Sequence, residues 1–177
     1  MLRFQTNMNI IPLFSAEQIQ REVHRTAAEI TDFFGEEETV VVLCLLNGAI
    51  WFAADLLRCL PSNFELQTIR LSSYEGTESS GALTWYNALP DCRGKRVLVV
   101  DDVLDTGRTM QEVCAALLAN GAAVVASAVA VDKKGRRAFD CRPDFCALCC
   151  EDVFLVGYGL DFNGKYRNLP YIGYVEE

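Results

Sequence analysis

Asp101, Asp102 and Asp105 stand together at the end of an apolar run, in "RVLVVDDVLDTGRTM" from Arg96 to Met110. Carboxylates crowded in this way repel one another and resist removal from water, so something cationic or hydroxylated must face them. Two adjacent carboxylates at a strand end can accept hydrogen bonds from a diol or hold magnesium through water. Asp105, three residues on, is placed to exchange a proton with a ligand lodged above the loop. Thr106, Gly107, Arg108 and Thr109 then open a helix, where free amides, two hydroxyls and the helix dipole favour a phosphate. Diol, proton transfer and phosphate together describe a site for a ribose 5-phosphate with a reacting group beside it. Aspartate-rich strand ends also occur in phosphoacceptor domains and haloacid-type phosphatases, but Thr-Gly-Arg-Thr opening a helix is not among their parts. No Gly-x-x-x-x-Gly-Lys-Ser/Thr phosphate loop is present.

Alternating strands and helices must position these groups. Ser15 with Gln18 forms a capping-box signature, and Ile19, Val23, Ile30 and Phe34 recur at helical spacing up to the stop at Gly35. "TVVVLCLL" reads as a buried strand, "AIWFAADLLRCL" as a helix closed by Pro61, and "FELQTIRLS" as an alternating strand. "YEGTESSGA" is polar and rich in Gly and Ser, the composition of an exposed mobile loop, and "LTWY" is a short strand after it. "RVLVV", the helix "TMQEVCAALLANG", and the strands "AAVVASAVAV", "FCALCC" and "FLVGYGL" complete the chain. The pattern predicts an α/β fold, a mostly parallel central sheet with helices on both faces. Ligands of such sheets bind at the carboxyl ends of the strands, where Asp101 to Thr109 fall.

The chain has 177 residues, 51% hydrophobic and 23% charged, which suits one compact domain and argues against disorder. Its longest apolar runs are too short to span a bilayer, and "MLRFQTNMNIIPLF" lacks the pattern of a signal peptide; a cytoplasmic enzyme is expected. A net charge of -8 without a basic block argues against nucleic-acid binding. Any anionic substrate must therefore be held by a few placed cations, amides or a metal ion. Eight cysteines include "CRPDFCALCC", where Cys146-x-x-Cys149 has ligand spacing. On a strand, however, Cys146 and Cys150 face one way and Cys149 the other, which favours reduced thiols used as small hydrophobes. His24 has no partner in a recognisable pattern and reads as solvated.

"VLVVDDVLDTGRTM" resembles the phosphoribosyl pyrophosphate (PRPP) loop of the type I phosphoribosyltransferases. "LLNGAIWFAADL", Ser73-Tyr74, "VDKKGRR", "RPDF" and "VFLVGYGLDFNGKYRN" are collinear with it and narrow the resemblance to the 6-oxopurine, hypoxanthine-guanine branch. The resemblance implies one domain over 1–177, with a core of about 36–135 and a small hood from 1–15 and 136–177. It implies transfer of the phosphoribosyl group from PRPP to N9 of hypoxanthine or guanine, giving IMP or GMP and pyrophosphate. Magnesium would be the cofactor, and the chain would form a homodimer or homotetramer with no nucleic-acid or membrane partner. The alternative, a regulator that keeps the fold to bind nucleotide or RNA, is disfavoured by the acidic balance and by retention of Asp105, Lys133 and Arg167.

By the same resemblance, Asp101 and Asp102 hold the ribose hydroxyls, and Asp105 is the acid/base carboxylate beside purine N7. Asp105 to Thr109 also bind the 5-phosphate. Lys133 donates to the exocyclic O6, Phe154 stacks on the purine, the Leu155 backbone meets its edge, and Asp161 joins the purine site. Asp161, with Asp101 and Asp102, positions magnesium. Asn47, Gly48, Ser73, Tyr74 and Arg167 contact pyrophosphate, with Arg137 a helper. Many relatives carry Lys where this chain has Asn47, and their loop can include a non-proline cis peptide.

Overall fold

The computed structural model describes residues 9–73 and 83–176. Among the described residues, nine strands and three helices follow in order: β1 (Ile10–Phe14), α1 (Ala16–Phe34), β2 (Val40–Leu46), α2 (Ile50–Cys59), β3 (Phe64–Ser73), β4 (Leu83–Trp85), β5 (Arg96–Leu104), α3 (Arg108–Ala119), β6 (Val124–Lys133), β7 (Phe145–Cys150), β8 (Leu155–Val156) and β9 (Ile172–Val175). Six strands form the main sheet in the order β4-β3-β2-β5-β6-β7, parallel except for the β3–β4 pair. β2 and the Val97–Val100 stretch of β5 are apolar throughout because both of their faces are covered. Val40, Val42 and Cys44 point into a core shared with α1 and α2, whereas Val41, Leu43 and Leu45 point into a second core under α3.

The start of α1 follows its sequence signature. The Ser15 side chain accepts from the Gln18 amide, the Gln18 side chain accepts from the Ser15 amide, and the Gly35 amide caps the far end. A smaller antiparallel sheet, β1-β9-β8, packs Leu155 and Ile172 into the core shared with α1 and α2. β7, within the stretch expected in the hood, is instead the outer strand of the main sheet. Its parallel pairing with β6 and the burial of Phe145, Ala147 and Leu148 account for this.

Three further departures from the sequence reading have local causes. β5 does not stop at Val100 but runs to Leu104, because β6 continues to pair with it beyond the point where β2 ends its pairing. "FLVGYGL" is not a full strand: after Leu155–Val156 the chain turns through positive φ at Gly157, Tyr158 and Gly159. Cys146 and Cys149 do not diverge; their sulfurs approach to 3.8 Å along the edge of β7. All eight cysteines are free thiols. In an extended strand Cα atoms three apart lie roughly 10 Å from each other, beyond the reach of a disulfide without backbone movement. His24 is exposed as read, yet its Nδ1 lies 3.4 Å from Cys59 Sγ. The loop "YEGTESSGA" falls outside the described residues. Among those residues no helix is long and apolar enough to cross a membrane.

Candidate functional site

The main sheet opens at the carboxyl ends of β2 and β5. β2 pairs with β5 only as far as Cys44–Val100, while β3 follows β2 to Leu46–Arg70 and β6 follows β5 to Leu104–Asp132. The diverging strands leave a cavity of about 480 Å³. Asn47, Gly48, Arg70, Ser72, Tyr86, Asp101, Asp102, Asp105 to Thr109, Asp161 and Arg167 line it. A volume of this order suits a small polar ligand. The β5 loop, the loop after β2 and the segment after β8, distant in sequence, thus face one space.

Asp101 and Asp102 sit at the floor. The Asp102 amide donates to Asp101 Oδ1 at 2.9 Å, and the Val103 amide donates to Asp102 Oδ1 at 2.8 Å. Each keeps a partly open edge toward the cavity but is otherwise enclosed by packed atoms. That enclosure raises the proton affinity of Asp101 well above the usual carboxylate range, with the neighbouring Asp102 charge adding to it. Burial raises Asp102 as well, against hydrogen bonds and the Arg167 charge that pull it down. A carboxyl whose folded pKa is raised contributes its full stability below the unfolded value of ~3.9 and loses it as pH rises through the folded pKa. At neutral pH the ionised pair therefore weighs against the folded state. Asp101→Asn is expected to raise the melting temperature of the ligand-free protein at pH 7–8, by about 2–4 °C per kcal/mol recovered. Melts repeated toward pH 4 should show the gain shrinking; an unchanged or lowered melting temperature at pH 8 would contradict the reading.

Gly48 is buried against this floor, and a Cβ there would fall 1.6 Å from Asp102 Oδ2. On its other side the Gly48 carbonyl oxygen lies 2.1 Å from where a Cβ of Gly159 would be. The Leu46–Asn47 peptide before it is cis. Asn47 itself is exposed at the rim.

The turn into α3 is built by Gly107, whose φ of 88° no other residue type adopts cheaply. Thr106 accepts the Ala138 and Phe139 amides through its carbonyl, both at 3.1 Å. Arg108 does not direct its guanidinium to the cavity: Nε donates to Glu112 at 2.7 Å and the group lies over Phe139. Its contribution to an anion is the main chain. Arg137 is likewise committed elsewhere, to Asp132 and to the Lys133 and Cys141 carbonyls. It braces the loop beneath Gly107 and is not a cavity residue, which corrects its assignment as a pyrophosphate helper.

Asp105 has one oxygen, Oδ1, buried with no hydrogen-bond partner among the described residues. Its Oδ2 lies 3.7 Å from Lys133 Nζ and 3.7 Å from the Arg136 guanidinium. Lys133, buried at the end of β6, is not among the residues that line this cavity. Phe154 is 53% exposed and meets Phe162 edge-on at 5.5 Å, leaving a ring face open. Leu155 is buried and pairs with Tyr174 of β9. Asp161 Oδ1 pairs with Arg167 at 2.6 Å, its Oδ2 accepts the Gly164 amide at 2.7 Å, and Arg167 also donates to the Gly159 carbonyl. Ser73 ends β3 opposite Leu83, and Tyr74 lies outside the described residues.

Three charged residues near the site had no signal in the local sequence. Arg70 reaches the cavity because β3 pairs it with Leu46; it lies 4.9 Å over the Tyr86 ring and has no carboxylate partner among the described residues. Asp152 and Arg136 adjoin Lys133 and Asp105. Only strand register brings these together.

Comparison with known proteins places this geometry. Residues 13–163 match the family model described as the phosphoribosyl transferase domain. The chain is 40% identical over 167 residues to the hypoxanthine-guanine-xanthine phosphoribosyltransferase of Tritrichomonas foetus, covering 93% of this chain and 91% of that protein. It is 42% identical over 167 residues to the hypoxanthine-guanine phosphoribosyltransferase of Aquifex aeolicus, covering 93% and 94%. The crystal structure of a hypoxanthine-guanine phosphoribosyltransferase from Bacillus anthracis superposes with a TM-score of 0.87 at 32% identity, over 96% of this chain and all of that one. With the Asp101–Thr109 loop at the carboxyl edge of a parallel sheet and this similarity along nearly its whole length, the chain belongs to the phosphoribosyltransferase family, in its hypoxanthine-guanine branch.

Proposed function

We propose that this chain is a purine salvage enzyme that transfers the 5-phosphoribosyl group of PRPP to N9 of hypoxanthine or guanine, giving IMP or GMP and pyrophosphate. The observation that carries the reading is the buried Oδ1 of Asp105, which has no partner among the described residues, beside the Thr106–Thr109 turn and an almost buried lysine. A buried acceptor without a donor is uncommon and asks for one from a ligand. The purine N7–H supplies it.

The residues divide the work by position. The amides and hydroxyls from Thr106 to Thr109 hold the 5-phosphate, and Asp101 and Asp102 accept the ribose hydroxyls. Lys133 donates to O6, which favours 6-oxopurines over a base whose 6-amino group cannot accept. Phe154 offers its open face to the purine, the Leu155 main chain meets the base edge, and Asp161 stands at the same end of the site. As N9 bonds to the ribose carbon and pyrophosphate leaves, Asp105 takes the proton from N7. The sugar develops cationic character, and the floor carboxylates lie on its side of the cavity. Gly48 and Asn47, with Arg167, face the leaving pyrophosphate, and Ser73 and Tyr74 are assigned to it by the family resemblance. Since Asn47 carries no charge, we add Arg70 as a cation of that end.

Magnesium fits the donor set, which is carboxylate oxygen on a hard-cation pattern. Among the described residues no three His, Cys, Asp or Glu side chains converge into a cage. Asp161, Asp101 and Asp102 would hold the ion, and when bound it offsets the negative charge of PRPP. Eight free thiols support a cytoplasmic location, and exposed Ile50 and Leu66 offer apolar contact for a homodimer or homotetramer.

The test is purified protein with magnesium, PRPP and each of hypoxanthine, guanine, xanthine and adenine, followed by absorbance. Turnover with hypoxanthine and guanine but not adenine is expected. Binding of PRPP or nucleotide without turnover of any base would point to a regulator instead.

A further inference from the structure

Lys133 and Asp105 are half of a closed ring of charge. Lys133 Nζ lies 3.1 Å from Asp152 Oδ1 and 3.7 Å from Asp105 Oδ2. Across the ring Arg136 Nη1 lies 3.7 Å from Asp105 Oδ2, and its Nε lies 3.7 Å from Asp152 Oδ2. Two cations and two carboxylates thus alternate. Asp152 stands on the β7–β8 connection, two residues before Phe154, and neither it nor Arg136 lines the main cavity.

Resting on the salvage reading above, we propose that Asp152 is the positioning residue for purine recognition, anchoring Lys133 so that its ammonium serves the base while Asp105 stays free to take the proton. The Lys133 side chain is only 9% exposed, and an ammonium so placed needs a counter-ion within reach. Asp105 is the one alternative in the ring. Were Lys133 to close on Asp105, the carboxylate that receives the purine proton would be spent as a structural partner. The shorter approach to Asp152 prevents this. When Asp105 takes the proton it loses its charge, and Asp152 remains as the counter-ion of both Lys133 and Arg136. Lys133 therefore keeps its place through the reaction. Exposed ion pairs contribute little, and Asp152 is itself 46% exposed, but its partner is not, so this pair differs from a solvated one.

The experiment compares the full-length wild type, Asp152→Asn, Asp152→Glu, Lys133→Ala and the double variant Asp152→Asn/Lys133→Ala. KM is measured for hypoxanthine at saturating PRPP and for PRPP at saturating hypoxanthine. Asp152→Asn is expected to raise KM for hypoxanthine about tenfold or more, the range for removing a hydrogen-bonding partner of a charged group, with KM for PRPP within about twofold of wild type. Asp152→Glu should recover most of the loss. In the Lys133→Ala background the Asp152 change should add less than about twofold, because its effect runs through the missing ammonium. Asp152 is half exposed, so the variant should fold, and a thermal melt checks this. A KM for hypoxanthine unchanged in an active Asp152→Asn enzyme overturns the proposal. So does a parallel rise in both KM values, or full additivity with Lys133→Ala. Wild type inactive toward every base overturns the salvage reading and this proposal together.

Discussion

The Asp105→Asn enzyme is expected to lose about 10²–10⁴-fold in kcat with hypoxanthine, the range for removing a positioned proton acceptor. The substitution is nearly isosteric. Its amide oxygen can still accept from purine N7–H through the position that Oδ1 now holds without a partner. It cannot keep the proton. Binding of base and PRPP should therefore survive within a few-fold, and the loss should fall on the chemical step. A single-turnover measurement separates the two, since a burst of nucleotide at the wild-type rate would place the limit in product release and remove Asp105 from its role. One secondary effect follows from the charge ring: Lys133 and Arg136 lose a shared counter-ion, leaving Asp152 to balance both. A kcat within tenfold of wild type would be incompatible with the mechanism.

Gly48→Ala should damage the opposite end of the site. The added methyl would lie 1.6 Å from Asp102 Oδ2 and 2.5 Å from its Cγ, well inside contact distance. The loop has little freedom to retreat, because the Gly48 carbonyl abuts Gly159. Asp102 must yield, and with it a carboxylate proposed to hold the ribose. KM for PRPP is expected to rise about 10–100-fold, equivalent to the ~1.4–2.8 kcal/mol of a lost charged contact. Overpacking of this kind costs about 1–3 kcal/mol of stability, and a thermal melt should register it. KM for hypoxanthine should move far less. Wild-type affinity for PRPP in a folded Gly48→Ala protein would show that the close approach is not required.

The parts of the site visible in the sequence are those that one short loop contains. Asp101, Asp102, Asp105 and Thr106 to Thr109 fall within nine residues, so a strand, a turn and a helix start suffice to bring them together. The burial of β2 and the capping of α1 were legible for the same reason: both are decided by neighbours in the chain. What was not legible depends on register. Arg70 reaches the cavity because it pairs with Leu46, and Asp152 meets Lys133 because β7 returns parallel to β6. Neither pairing has a local signal. Arg137 marks the complementary error. As sequence it is a cation beside an anion site, but Asp132 had already claimed it. The strand reading of "FLVGYGL" failed because three consecutive positive φ values bend the chain after two paired residues.

Gly159, after β8, rests on the carbonyl of Gly48 with no side chain between them. Most contacts between parts of a protein are cushioned by side chains that can change rotamer when one part shifts. This joint has no such slack. The segment leading from Phe154, proposed to stack on the base, to Asp161 and the loop proposed to face the leaving group are therefore held a constant distance apart, like the jaws of a fixed gauge. A displacement in which one group arrives as another departs along the same line needs that spacing kept throughout. Two missing methyl groups keep it.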